Sequence, residues 1–202
     1  MRLIFPFAAL LAALFLSSCA SLSKEECVVA DWQSIGERDG AAGKGLNYFS
    51  RHVDACKKTV AKPDQAKWQA GHSYGAQRYC TPQNGLQAGN AGKTYNNICQ
   101  PRQQRGFLAA FELGKERYNL LSQRSSLVRE LEGNRSEIDR IKRKVKKKKL
   151  DINKHRPTFR ILRRKNRRIL DDIEDIDYRI ARLDRHIAQE GYEPLARPVP
   201  IY

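Results

Sequence analysis

Five cysteines are the residues of this chain best suited to covalent chemistry, and their surroundings divide them into one and four. Cys19 follows Leu16-Ser17-Ser18, at the end of a stretch built like an export signal. Arg2 supplies a short positive segment, and Leu3 to Leu16 form an apolar run of about 14 residues, short of the roughly 20 that a membrane-spanning helix needs. The small Ser17-Ser18 pair suits a signal peptidase pocket. The Cys19 thiol is then placed to take a diacylglyceryl group through a thioether, followed by a further acyl chain of the palmitate kind. Residues 1–18 are expected to be removed, and residues 19–30 become a lipidated tether. Two or more acyl chains on one residue anchor stably, where one holds only weakly. Ala20 follows the cysteine in place of the Asp that retains such proteins at the inner membrane. The expected location is therefore the cell envelope, at the outer membrane facing the periplasm.

The other four cysteines, Cys27, Cys56, Cys80 and Cys99, are an even number in an oxidising compartment, which predicts two disulfides. Three connectivities exist. The favoured one joins Cys27 to Cys56 and Cys80 to Cys99, and each bridge contributes on the order of 3 kcal/mol by restricting the unfolded chain. There is no C-x-x-C and no pair of histidines at ligand spacing, so no metal and no cofactor is expected. His52 stands four residues before Cys56 with no matching pair elsewhere. All four histidines, His52, His72, His155 and His186, are expected to be ordinary exposed side chains. Asp39 and Asp54 are expected to be caps or surface carboxylates rather than catalytic acids. No G-x-S-x-G, H-E-x-x-H or Cys/His nucleophile pattern occurs, and an enzyme is not expected.

These residues need a scaffold, and the glycines indicate one. Gly36, Gly40 and Gly43 stand at i, i+4 and i+7, as do Gly85, Gly89 and Gly92; Gly71 with Gly75, and Ala110 with Gly114, give the spacing again. Trp32, Trp68 and Phe107 precede three of these sets. On a helix such residues share one face. Glycine inside a helix costs roughly 1 kcal/mol relative to Ala, so the repetition implies close helix packing in return. Asp31 and Asp64 are placed to cap helix starts, and Pro82 with Asn84-Gly85 marks a turn. Gly89-Asn90-Ala91-Gly92-Lys93-Thr94 resembles the end of a phosphate loop, but Gln87 stands where the first glycine belongs.

Asp31-Trp32, Gly36, Asp39-Gly40, Gly43, Gly71, Gly75, Tyr79-Cys80, Pro82, Asn84-Gly85, Gly89, Gly92, Tyr95, Cys99, Phe107, Phe111 and Gly114 fall in one order. That order resembles the bacterial lipoprotein family catalogued as domain of unknown function 2799. The resemblance covers residues 27 to about 118, with Trp68 standing where Tyr is usual. It implies a lipid-anchored envelope protein and carries no activity and no catalytic residue.

Beyond this region the apolar residues recur at threes and fours: Leu127, Leu131, Ile138, Ile141 and Val145, then Phe159, Leu162, Ile169, Ile173, Ile176, Ile180, Leu183 and Ile187. This is a heptad seam, with Asn134 and Asn166 filling polar slots. Pro157 suits the first position of a helix. The bend of an antiparallel coiled-coil hairpin is therefore expected near residues 151–157, setting Val145 near Leu162, Ile138 near Ile169, Leu131 near Ile176 and Leu127 near Ile180. Asn134 would then face Ile173, and Asn166 would face Ile141. The expected fold is mainly α. A disulfide-stapled helical domain over 31–118 precedes the hairpin over 119–190 and a Pro-rich tail over 191–202. One long helix that dimerises is the alternative.

The net charge is +16, and Arg129 to Arg168 hold 18 Lys or Arg against 5 acids. Lys146, Lys147, Lys148 and Lys149 lie across the bend from Arg163, Arg164, Lys165, Arg167 and Arg168, and these nine are the candidate anion-binding residues. Such self-repulsion is easiest to understand with an anion bound. In an envelope the anions are lipid headgroups, lipopolysaccharide phosphates and peptidoglycan carboxylates. Export argues against nucleic acid. The expectation is a non-enzymatic, lipid-anchored protein whose cationic coiled-coil tip binds an anionic envelope surface. The alternative is a structural or assembly protein acting through coiled-coil contacts, including a homo-oligomer.

Overall fold

The computed structural model describes residues 21–147 and 151–196, and every regular element among them is helical. The expected signal segment, Cys19, Lys148 and Lys149 lie outside the described residues. The chain divides into two compact units, residues up to 79 with 96–99, and residues 80–95 with 100 onward.

The first unit contains α1 (Lys24–Val28), α2 (Trp32–Ala41), a 3-10 turn (Leu46–Tyr48), α3 (Phe49–Cys56) and α4 (Gln65–Tyr79). Local chemistry starts each helix. Ser23 and Glu26 cap α1 reciprocally, and Asp31 accepts from the N–H groups of Gln33 and Ser34 at the head of α2. Asp64 accepts from the N–H of Lys67 at 3.0 Å before α4. The Cys27–Cys56 disulfide ties α1 to the end of α3. Leu22, Trp32, Ile35, Phe49 and Trp68 close the core around it. Burying each large apolar side chain contributes roughly 1.5–3 kcal/mol.

Helices α2 and α4 meet through their glycines. A methyl group at Gly36 or Gly40 would overlap the carbonyl oxygens of Trp68 and His72, and one at Gly71 or Gly75 would overlap those of Gln33 and Glu37. The close-packing face expected from the spacing is therefore present, with helix backbones in direct contact.

The second unit contains α5 (Pro82–Asn90), α6 (Pro101–Lys146) and α7 (Ile152–Gln189). Thr81 caps α5, and Pro82 occupies the first turn, where no N–H is needed. The helix pair of the first unit recurs here. Gly85 and Gly89 lie against the carbonyls of Phe107 and Phe111, and Gly114 lies against that of Leu86. The ends match as well. Gly43, at φ +74°, sits under the Tyr79 ring, and Gly92, at φ +65°, sits under the Tyr118 ring. Each unit thus carries one copy of a glycine-packed helix pair. Cys80 and Cys99 are disulfide-bonded as well, so all four of these cysteines are oxidised, as expected.

The hairpin is present, but its bend and register differ from expectation. Helix α6 runs unbroken from Pro101 to Lys146, so the expected boundary between 118 and 119 falls inside one helix. Helix α7 starts at Ile152, because the Asp151 carboxylate accepts from the N–H of Asn153 at 2.9 Å. Pro157 therefore lies within α7 rather than at its head. Its missing donor leaves a carbonyl one turn back for solvent, which an exposed first turn tolerates. The earlier bend slides the seam by up to seven residues, about two helical turns. Leu131 packs with Ile169 and Ile173, not Ile176, while Ile176 and Ile180 cluster with Leu120. Asn134 and Asn166 then fall in one layer, instead of facing Ile173 and Ile141. Asn134 Nδ2 and Asn166 Oδ1 are both buried without a hydrogen-bond partner.

Candidate anion-binding surface

Charge on the hairpin is arranged by depth. Near its base, Arg117 is 1% exposed and acts as a tie point. It donates to Asp184 Oδ1 at 2.6 Å, to Asn90 Oδ1 at 2.9 Å and to the Ala196 carbonyl at 2.6 Å, which joins α5, α6, α7 and the C-terminal segment. Two turns along α6, buried Arg124 donates to Asp177 at 2.5 Å and 3.2 Å. Buried guanidinium groups require such partners, because an unpaired buried charge costs several kcal/mol. Sequence reasoning missed both arginines. Their signal was position, since each interrupts the apolar ladder that Leu113, Leu120 and Leu127 continue down α6.

Toward the bend the pairing is exposed and partial. Lys165 reaches Glu130 at 2.7 Å, Arg140 pairs with Glu137, and Lys142 sits 3.3 Å from Asp139. Among the described residues, Lys146, Lys147, Arg163, Arg164, Arg167 and Arg168 are exposed, and no carboxylate lies within ion-pair distance of any of them. Lys165 alone of the expected anion-binding residues described here is internally paired. The hairpin therefore brings the two basic runs of the sequence to one end of α6 and α7.

The first unit holds a second polar cluster, of a different kind. Asp39 Oδ2 accepts from His52 Nε2 at 2.7 Å and from Trp68 Nε1 at 2.9 Å. Burial pushes the Asp39 carboxyl up, but the hydrogen bonds from His52 and Trp68, with the His52 and Arg38 charges, more than offset it and hold the group below its usual range. His72 shares a 2.7 Å hydrogen bond with the Lys44 carbonyl. His52 and His72 are each 2% exposed, which corrects the expectation of surface histidines, and Asp39 is buried as well. The neighbours explain this. His52 shares the apolar face of α3 with Phe49 and Cys56, and His72 stacks on Trp68 with ring centroids 4.8 Å apart. Trp32, Tyr48 and Trp68 enclose the His52 ring, so no substrate reaches its Nε2. The cluster locks α2, α3 and α4 together. Asp54 is exposed, as expected, 3.8 Å from Lys57. Among the described residues no three His, Cys, Asp or Glu side chains converge as a metal-ligand set.

The glycine-packed pairs are the part of the chain that comparison with known proteins reaches. Residues 31–116 match the family described as protein of unknown function (DUF2799). The DUF2799 match spans both helix pairs and ends on α6, before the basic end of the hairpin. The family model therefore describes the scaffold and leaves the cationic surface outside it. No curated protein and no solved structure matches the chain. No described helix is long and apolar enough to cross a membrane.

Proposed function

We propose that this chain is a lipid-anchored protein of the bacterial cell envelope, acylated at Cys19, which acts without catalysis by holding an anionic surface on the basic end of its hairpin. The observation that carries this reading is the contrast along α6 and α7. Arginines at the base are buried against carboxylates, whereas Arg156, Arg160, Arg163, Arg164, Arg167 and Arg168 toward the bend are exposed and have no ion-pair partner among the described residues. A fold that neutralises its buried cations and leaves the outer ones free presents those charges to something else. Phospholipid headgroups, lipopolysaccharide phosphates and peptidoglycan carboxylates are the envelope anions that fit, and each Lys or Arg near anionic lipid contributes about 1 kcal/mol.

The test is co-sedimentation with anionic vesicles, lipopolysaccharide and purified peptidoglycan, at low and high salt. The chain carries Cys19→Ser, so that acylation plays no part. Binding should weaken as salt rises and disappear when Lys146, Lys147, Lys148 and Lys149 are changed to Glu. Binding to none of the three would overturn the proposal.

A further inference from the structure

The free cations are not spread evenly around the hairpin. At about 100° per residue, Arg156, Arg160, Arg163 and Arg167 fall on one face of α7, at i, i+4, i+7 and i+11. All four are exposed, and no carboxylate pairs with any of them among the described residues. The stripe runs about 16 Å along the helix at 1.5 Å per residue. It lies on the same side of the seam as Asp177 and Asp184, whose partners Arg124 and Arg117 fix that side of α6. Arg135, Lys142, Arg143 and Lys146 lie on that side of α6. The other side of the hairpin carries Glu130 and Glu137, which already engage Lys165 and Arg140.

Two further side chains extend the stripe. Ile152 and Leu170 continue the same helical line at its two ends and are 40% and 44% exposed. Arginine forks match phosphate oxygens in pairs. Exposed aliphatic groups beside them suit the boundary between headgroups and acyl chains, where basic amphipathic helices lie. A polynucleotide offers phosphate and no apolar layer, and peptidoglycan offers neither.

We propose that α7 lies lengthwise against an anionic phospholipid surface, with Arg156, Arg160, Arg163 and Arg167 on the headgroup phosphates and Ile152 and Leu170 at the acyl boundary. This rests on the anionic-surface reading above and adds a face, an orientation and a ligand class to it. Contact runs along the side of the hairpin and takes in its basic end.

The test compares three forms of the Cys19→Ser chain. One is otherwise unaltered, one has R156Q, R160Q, R163Q and R167Q, and one has R129Q, K144Q, K154Q and R179Q, losing equal charge from other faces. Binding is measured to vesicles of phosphatidylglycerol and phosphatidylcholine, to phosphatidylcholine alone, and to duplex DNA, with circular dichroism confirming helix content. At about fivefold per arginine, the stripe variant should lose anionic-vesicle binding several-hundred-fold, and the control variant by under tenfold. I152S with L170S should weaken vesicle binding and leave DNA binding unchanged. Equal loss in the two charge variants would overturn the face assignment while leaving the anionic-surface reading intact. Tighter binding to DNA than to vesicles would overturn the lipid assignment. No preference for anionic over neutral vesicles in the unaltered chain would overturn the lipid assignment, and the anionic-surface reading falls with it only if lipopolysaccharide and peptidoglycan are not bound either.

Discussion

Asp39 shows how much one buried carboxylate can hold. Its Oδ2 serves two buried donors, His52 Nε2 and Trp68 Nε1, from two other helices. Changing Asp39 to Ala strands both donors, each at about 1–3 kcal/mol, so denaturant unfolding should show at least ~2 kcal/mol lost. Asp54→Ala, at an exposed carboxylate, should stay within about 0.5 kcal/mol. The Asp39 carboxyl is held below its usual range, so its contribution is present above the unfolded value near 3.9 and is lost as pH falls through the folded value. The Asp39→Ala protein should therefore lose less stability on acidification below pH ~4 than the unaltered chain. None of this was legible from residue types. A histidine on a short helix reads as exposed unless its face is traced, and the face of His52 is shared with Phe49 and Cys56. The helix-capping aspartates, Asp31 and Asp64, were legible because capping depends on neighbours within three residues.

Helices meet in this protein by backbone contact where the sequence spaces glycines, and the two kinds of glycine should behave oppositely. A methyl group at Gly75 would overlap the Glu37 carbonyl, whereas one at Gly133 would meet nothing. Gly75→Ala should destabilise by about 1–3 kcal/mol or more through forced separation of α2 and α4. Gly133→Ala, in an exposed stretch of α6, should stabilise by up to ~1 kcal/mol, and thermal unfolding reads both signs. The glycine face was legible because its period is local, while its partner carbonyls belong to a distant helix. The heptad seam was legible for the same reason. The register was not, because it turns on whether Asp151 or Pro157 starts α7, and a single capping hydrogen bond decides it. With Asn134 and Asn166 in one layer and each holding an unpaired buried atom, replacing both with Leu should raise the melting temperature of the chain. No gain, or a loss, would indicate that the asparagines pair with each other in solution.

At the scale of the molecule, a net charge of +16 is gathered largely on one arm. That asymmetry was readable by counting, but the expected boundary at 118 was not where the chain divides, because the glycine-packed pair of residues 82–90 and 101–114 belongs with the hairpin. Which cations are already spent was not readable, because Lys165, Arg140, Arg124 and Arg117 meet their carboxylates only through helical geometry. The proposed acylation of Cys19 makes its own prediction: labelled palmitate fed to cells should be incorporated by the unaltered chain and not by Cys19→Ser. The central claim concerns the arm, and the most direct measurement is the affinity of the Cys19→Ser chain for anionic vesicles as ionic strength rises. The account predicts steep weakening with salt and a shallower slope when Arg156, Arg160, Arg163 and Arg167 are changed to Gln. An affinity for anionic vesicles that stays constant across the salt range would contradict it.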